Sequence, residues 1–128
     1  MATFLLDSSV IIDALNGKRG RHLLLRDLLS QGHLLACCAI NVAEVYAGLR
    51  PSEEEATGRF LRSLQFYEVS WEIARQSGLL RREYSRKGKT LALPDTTIAA
   101  VALHYGLTLI TDNVKDFPMP GLRLYPLP

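Results

Sequence analysis

The sequence predicts the α/β class, a mainly parallel sheet covered by helices on both faces, and three observations carry that prediction. Apolar runs of four or five residues recur, the length expected of strands buried on both faces. Helical stretches alternate with them along the chain. Helix-start signals such as Asp7-Ser8-Ser9 and Asn41 stand directly behind or just beyond the runs.

Taken in order, Thr3-Phe4-Leu5-Leu6 reads as a buried strand, and Asp7-Ser8-Ser9 as the turn that launches a helix over Val10 to Leu15. A basic helical stretch from Arg21 to Ser30 precedes a second strand over Leu34 to Cys38. Asn41 is placed to cap a helix carrying Val42 to Leu49, with Gly48 marking its end. After Pro51, Ser52 and Glu55 have the spacing of a capping box, which starts a helix reaching about Leu64. Phe66 to Val69 suits a short strand and Trp71 to Arg86 a long helix. Pro94 fits the first turn of the next helix, which should run to Tyr105 and stop at Gly106. Leu107 to Ile110 and Leu122 to Tyr125 supply the last strands.

Bulk properties narrow the function. With 128 residues, 48% of them hydrophobic, the chain has enough apolar material for one core, and a single domain over residues 1–128 is expected. No apolar run approaches the roughly 18 residues of a membrane span, and MATFLLDSS lacks the features of a signal peptide, so the expected location is the cytoplasm. Cys37 and Cys38 are neighbours on a predicted strand and point to opposite faces, as small buried residues rather than a disulfide. His22, His33 and His104 are scattered and offer zinc no ligand set. A net charge of +2 does not by itself announce a nucleic-acid binder.

The acids are more informative. Asp7 and Asp112 each directly follow an apolar strand, the end of a parallel sheet at which functional sites gather. Helix capping alone would account for Asp7, and the helix dipole alone for Asp95 behind Pro94. Glu44 lies in Ile40-Asn41-Val42-Ala43-Glu44-Val45-Tyr46-Ala47-Gly48, apolar around most of the helix, and is expected to be buried and to need an arginine or a metal as partner. Two carboxylates ~5 Å apart repel by roughly 3 kcal/mol at an effective dielectric near 20, so four gathered in one pocket call for a cation. Oxygen ligands without thiolate or imidazole select Mg²⁺ or Mn²⁺, the chemistry of phosphodiester hydrolysis.

Four segments together resemble the PIN-domain ribonucleases, in particular the VapC-type toxins of bacterial toxin–antitoxin pairs. They are FLLDSSVII (4–12), NVAEVYAG (41–48), LPDTTIAA (93–100) and LITDNVKDF (109–117). The resemblance covers nearly the whole chain and implies an α/β/α sandwich with Asp7, Glu44 and Asp95 as its acidic core, Asp7 and Asp95 binding metal directly. It also implies Mg²⁺- or Mn²⁺-dependent endonucleolytic cleavage of RNA, a homodimer, and silencing by a cognate antitoxin. Relatives vary in the position of a fourth acid. Asp112 is the expected choice here and Asp116 the alternative, with Thr111 and Asn113 as polar helpers. Ser9 stands where many relatives carry asparagine and is expected near the substrate.

Arg81, Arg82, Arg86, Lys87 and Lys89 precede Asp95 and suit a phosphate backbone leading to the acids, with Tyr84 as a stacking surface. A solvated helix end explains the same run. Lys18-Arg19-Gly20-Arg21 invites the same two explanations. Two rivals to the nuclease stand beside it: a receiver-like domain that accepts phosphate on an aspartate near Mg²⁺, and a binding module that keeps the fold without cutting. The first accounts for Asp7 but gives a mid-helix Glu44 no role.

Overall fold

The computed structural model describes Met1–Pro128. Its strands are β1 (Thr3–Leu6), β2 (Leu34–Cys38), β3 (Gln65–Tyr67), β4 (Thr108–Ile110) and β5 (Arg123–Leu124). Its α-helices are α1 (Ser8–Leu15), α2 (Arg21–Ser30), α3 (Ala39–Ala47), α4 (Glu54–Ser63), α5 (Trp71–Arg86) and α6 (Leu93–Tyr105). Short 3₁₀ turns occupy Pro51–Glu53 and Val114–Asp116.

All five strands are parallel in the order β3-β2-β1-β4-β5. Alternation along the strands divides the core into two. Leu5, Ala36, Cys38 and Leu109 face α5 and α6, where they meet Ile73, Leu80, Ile98 and Val101. Phe4, Leu6, Leu35, Cys37 and Ile110 face the other way, against Val10, Ile11, Leu25, Val45 and Leu61 of α1 to α4. Because both faces are covered, the strands read as continuous apolar runs rather than an alternating pattern. The result is a three-layer α/β/α sandwich.

Three expectations change, two at helix starts and one at the sheet edge. Asn41 is not the cap of α3. The helix begins at Ala39, and the buried Asn41 reaches back to accept from the Cys38 backbone N–H at 2.8 Å. The box expected at Ser52 and Glu55 sits earlier: the Arg50 backbone N–H donates to Glu53 at 3.0 Å, and the chain enters α4 through the 3₁₀ turn. The last strand shrinks to two residues at the sheet edge. Gly106, at φ +67°, ends α6 as expected, because a left-handed residue after the last turn is cheapest as glycine. No helix is long and apolar enough to cross a membrane.

Candidate active site

In the order β3-β2-β1-β4-β5, chain direction away from β1 reverses between β1 and β4, and the crevice beyond their carboxyl ends is where such sheets bind ligands. Leu6 lies beside Ile110 in register, and the Asp7 backbone N–H donates to the Ile110 carbonyl at 2.9 Å. Asp7 and Thr111, the next residues of their strands, are thereby side by side. Asp7 caps α1 by accepting from the Ser8 backbone N–H at 2.9 Å, yet its other oxygen accepts from the Thr111 hydroxyl at 2.7 Å. Capping therefore uses only half of this carboxylate. The residue is 5% exposed, and no lysine or arginine pairs with it.

Glu44 comes to the same place from α3. Ser8 donates its hydroxyl to Glu44 Oε1 at 2.7 Å and accepts from Asn41 Nδ2 at 3.0 Å. Asn41, fixed through its own oxygen to the start of α3, thus holds Ser8, and Ser8 holds Glu44 beside Asp7. Glu44 is exposed, not buried as its apolar neighbours suggest. The helix rests on the molecule through Asn41 and Val45, while Ala43, Tyr46 and Ala47 face outward. Apolar residues around a helix do not bury it when only one side has something to pack against.

Asp95 lies in the first turn of α6, behind Pro94. The helix dipole there favours the ionised form. Burial nevertheless pushes its carboxyl up to about 6, and the negative charges of Asp7, Asp116 and Glu44 push in the same direction. Burial, and then Glu44 and Asp7, likewise push up the Cys38 thiol at the end of β2, against the backbone hydrogen bonds that favour its thiolate. Four carboxylates, those of Asp7, Glu44, Asp95 and Asp116, therefore share one end of the sheet, and no ion pair reaches any of them.

The two candidates for the fourth acid, Asp112 and Asp116, stand in different surroundings. Asp112 accepts from Arg21 Nη2 at 2.6 Å, so its charge is compensated inside the protein. Asp116 is the one that acts on Asp95. The reason is local: the chain turns sharply after Thr111, whose oxygen accepts from the Asn113 backbone N–H at 2.9 Å, and the 3₁₀ turn brings Asp116 round beside the buried Phe117. Asp112 is thus neutralised by Arg21, whereas Asp116 has no counter-charge. Asn113 contributes its backbone to this turn, and Ser9 makes only a long contact of 3.4 Å to Asp7.

These donors suit a hard cation in kind, being oxygens alone and lacking any protein counter-charge. No three of the acidic, imidazole or thiol side chains stand close enough to close around one ion as they are. A cation held through one or two carboxylates and several waters, as Mg²⁺ commonly is, would not need such a cage.

The basic residues divide. Arg82, Arg86 and Lys87 are exposed on α5 and just after it. Gly78, Arg81, Arg82, Ser85 and Arg86 line, with Leu93, an open hollow of about 490 Å³ whose Leu93 side is two residues from Asp95. Lys87 lies 5.1 Å from the Tyr84 ring and 3.5 Å from Glu83. Arg21, in contrast, is buried and belongs to no surface patch.

The PIN domain family matches residues 4–118. This chain belongs to the PIN-domain family. Among relatives of this PIN domain, the ribonuclease VapC19 of Mycobacterium tuberculosis is 33% identical over 120 residues, which cover 93% of this chain and 96% of the relative. The ribonuclease VapC10 of the same organism is 35% identical over 115 residues, 90% of this chain and 86% of that one. The fold matches VapBC2 from Rickettsia felis, solved bound to a DNA fragment from their promoter, with a TM-score of 0.80 and 26% identity over 96% of this chain and 97% of that one. A toxin–antitoxin complex from Klebsiella pneumoniae matches with a TM-score of 0.74 and 33% identity, over 95% of each chain.

The strand order of this PIN domain also disposes of the receiver-like alternative, whose sheets run 2-1-3-4-5. Three residues that position the site escape a reading of the sequence. Ser8 and Asn41 look like helix-start residues, and Arg21 like part of a basic run. Only the polar character of Asn41 within an apolar helix hints at a buried hydrogen-bonding role.

Proposed function

We propose that this PIN domain is a Mg²⁺- or Mn²⁺-dependent endoribonuclease and the toxin of a toxin–antitoxin pair. The observation that carries the proposal is the gathering of Asp7, Glu44, Asp95 and Asp116 at the β1–β4 crevice with no lysine or arginine to balance them. The names of the relatives, ribonucleases and antitoxin-bound toxins, support the same conclusion.

In this reading Asp7 and Asp95 would hold the cation directly, with Glu44 and Asp116 completing the negative field around it. The bound ion supplies an activated water and stabilises charge on the phosphate. The Ser8 backbone N–H donates to one carboxylate oxygen of Asp7, and Thr111 fixes the rotamer by donating to the other. Ser8 does the same for Glu44. Arg82, Arg86 and Lys87 offer cations along the approach to Asp95, where an RNA backbone would gain affinity by counter-ion release. Ser9 and Asn113 lie at the margin as substrate contacts. The cognate antitoxin, a second copy of the chain and a cytoplasmic location complete the proposal; the outward Ala43, Tyr46 and Ala47 of α3 give a second copy apolar surface to cover.

Incubation of the purified protein with a panel of structured RNAs tests the proposal. Discrete fragments are expected with Mg²⁺ or Mn²⁺, and none with chelator or with the Asp7→Asn and Asp95→Asn variants, whose folding is verified by circular dichroism. Cleavage that survives chelation, or that both variants retain, contradicts it. A folded parent that binds RNA and never cuts it would mark a binding module instead.

A further inference from the structure

Arg21 opens α2, 91 positions from Asp112 in sequence, and is 5% exposed. Its Nη2 donates to Asp112 Oδ1 at 2.6 Å and its Nη1 to the Arg19 carbonyl at 3.4 Å. Arg21 Nε and Asp112 Oδ2 are both buried and have no hydrogen-bond partner. Arg19, largely exposed, stands 3.8 Å from that oxygen and 3.7 Å from Asp13, too far to satisfy either.

An arginine and a carboxylate can join through two parallel bonds. This pair makes one, and each partner keeps an orphan atom. A buried ion pair so poorly satisfied contributes little to stability compared with apolar side chains of the same size. Its position suggests another use. Asp112 directly follows Thr111, which holds Asp7, and begins the turn that carries Asp116. A buried guanidinium without Asp112 would need another anion, and the uncompensated carboxylates joined to this turn are Asp7 and Asp116.

We propose that Asp112 is the counter-ion that keeps Arg21 out of the acid pocket, so that Arg21 anchors the Thr111–Asp116 turn without supplying the positive charge that the four carboxylates lack. Both are positioning residues, and the proposal rests on the reading of the pocket as a cation site. It assigns Asp112 a purpose that a ligand role does not. Arginine delivered into the pocket would compete with the divalent ion for the same oxygens, and a neutral residue at 112 permits that delivery.

Mn²⁺ binding to the RNA-free protein, followed by calorimetry, tests the proposal. Asp112→Asn should weaken Mn²⁺ at least tenfold, whereas Asp112→Glu, which keeps the charge, should stay within threefold of the parent. Adding Arg21→Met to Asp112→Asn should restore affinity to within threefold, because the competing cation is gone. The same addition to Asp116→Asn should restore nothing. Unchanged binding in Asp112→Asn, or no recovery in the double variant, overturns the proposal. Failure of the cation-site reading looks different: parent and Asp7→Asn would then take up Mn²⁺ alike. In that case the anchoring is still decided by urea unfolding of the metal-free single and double variants. A coupling of at least tenfold in the unfolding constant, about 1.4 kcal/mol, supports the anchor, and additive effects refute it.

Discussion

Replacing Asp95 with asparagine should make the metal-free protein more stable at neutral pH while removing its activity. The carboxyl of Asp95 is displaced from its ordinary 3.8 to about 6 by burial and by Asp7, Asp116 and Glu44. At 1.36 kcal/mol per pH unit this corresponds to ~3 kcal/mol of unfavourable ionisation in the folded state. Asp95 is only partly buried, so solvent screening reduces the figure to ~1–2 kcal/mol. Its folded value lies above its unfolded value, so the native protein keeps a proton that the unfolded chain has lost between about pH 4 and pH 6. The parent's stability contribution from this group therefore falls as pH rises through that window, and the isosteric amide escapes the loss. For a chain of this size the gain corresponds to roughly 3–8 °C in melting temperature. Thermal unfolding in chelator at pH 4 and pH 7.5 measures it. The variant should melt higher than the parent at pH 7.5 and nearly level with it at pH 4; added Mn²⁺ should raise the parent alone. A variant less stable at pH 7.5, or a difference that ignores pH, refutes the claim that these four carboxylates crowd one another.

The other predictions concern the groups around the acids. Thr111→Val removes the hydroxyl that donates to Asp7 and accepts from Asn113, and should cost about 1–3 kcal/mol in urea unfolding along with most of the RNA cleavage. Ser8→Ala frees Glu44 from its hydrogen bond; initial-rate measurements should show a lower kcat at nearly unchanged KM for RNA, and an unchanged kcat would remove Ser8 from the set of positioning residues. A Cβ at Gly58 would lie 2.8 Å from the Tyr46 hydroxyl, at the end of a side chain that is 39% exposed. Gly58→Ala should therefore gain about 0.5–1 kcal/mol of helix propensity in a Tyr46→Phe background and less when Tyr46 is present, as denaturant midpoints will show.

Local order was legible because local physics sets it. Strand β1 is a short apolar run closed by a residue that caps a helix, and α6 carries Pro94 in its first turn and stops at Gly106 for reasons confined to a turn or two of chain. The same holds for Asp7, which closes β1 and caps α1 at the carboxyl end of the sheet. Glu44 was placed on the right helix and assigned the wrong environment. Periodicity reports which residues are apolar, and the neighbours a helix actually receives decide which of them are covered.

The sequence by itself determined the alternation of strands and helices and the acids that sit where they change over, because backbone propensity, capping and apolar run length act within a few residues. Tertiary structure alone decided that Asp112 pairs with Arg21 while Asp116 keeps an uncompensated charge that acts on Asp95, and that Asn41 holds Ser8 and Ser8 holds Glu44. The physical reason is distance along the chain. An aspartate in a turn is equally suited to an ion or an arginine, and the choice falls to a guanidinium brought beside it by the packing of α2, which no local pattern encodes.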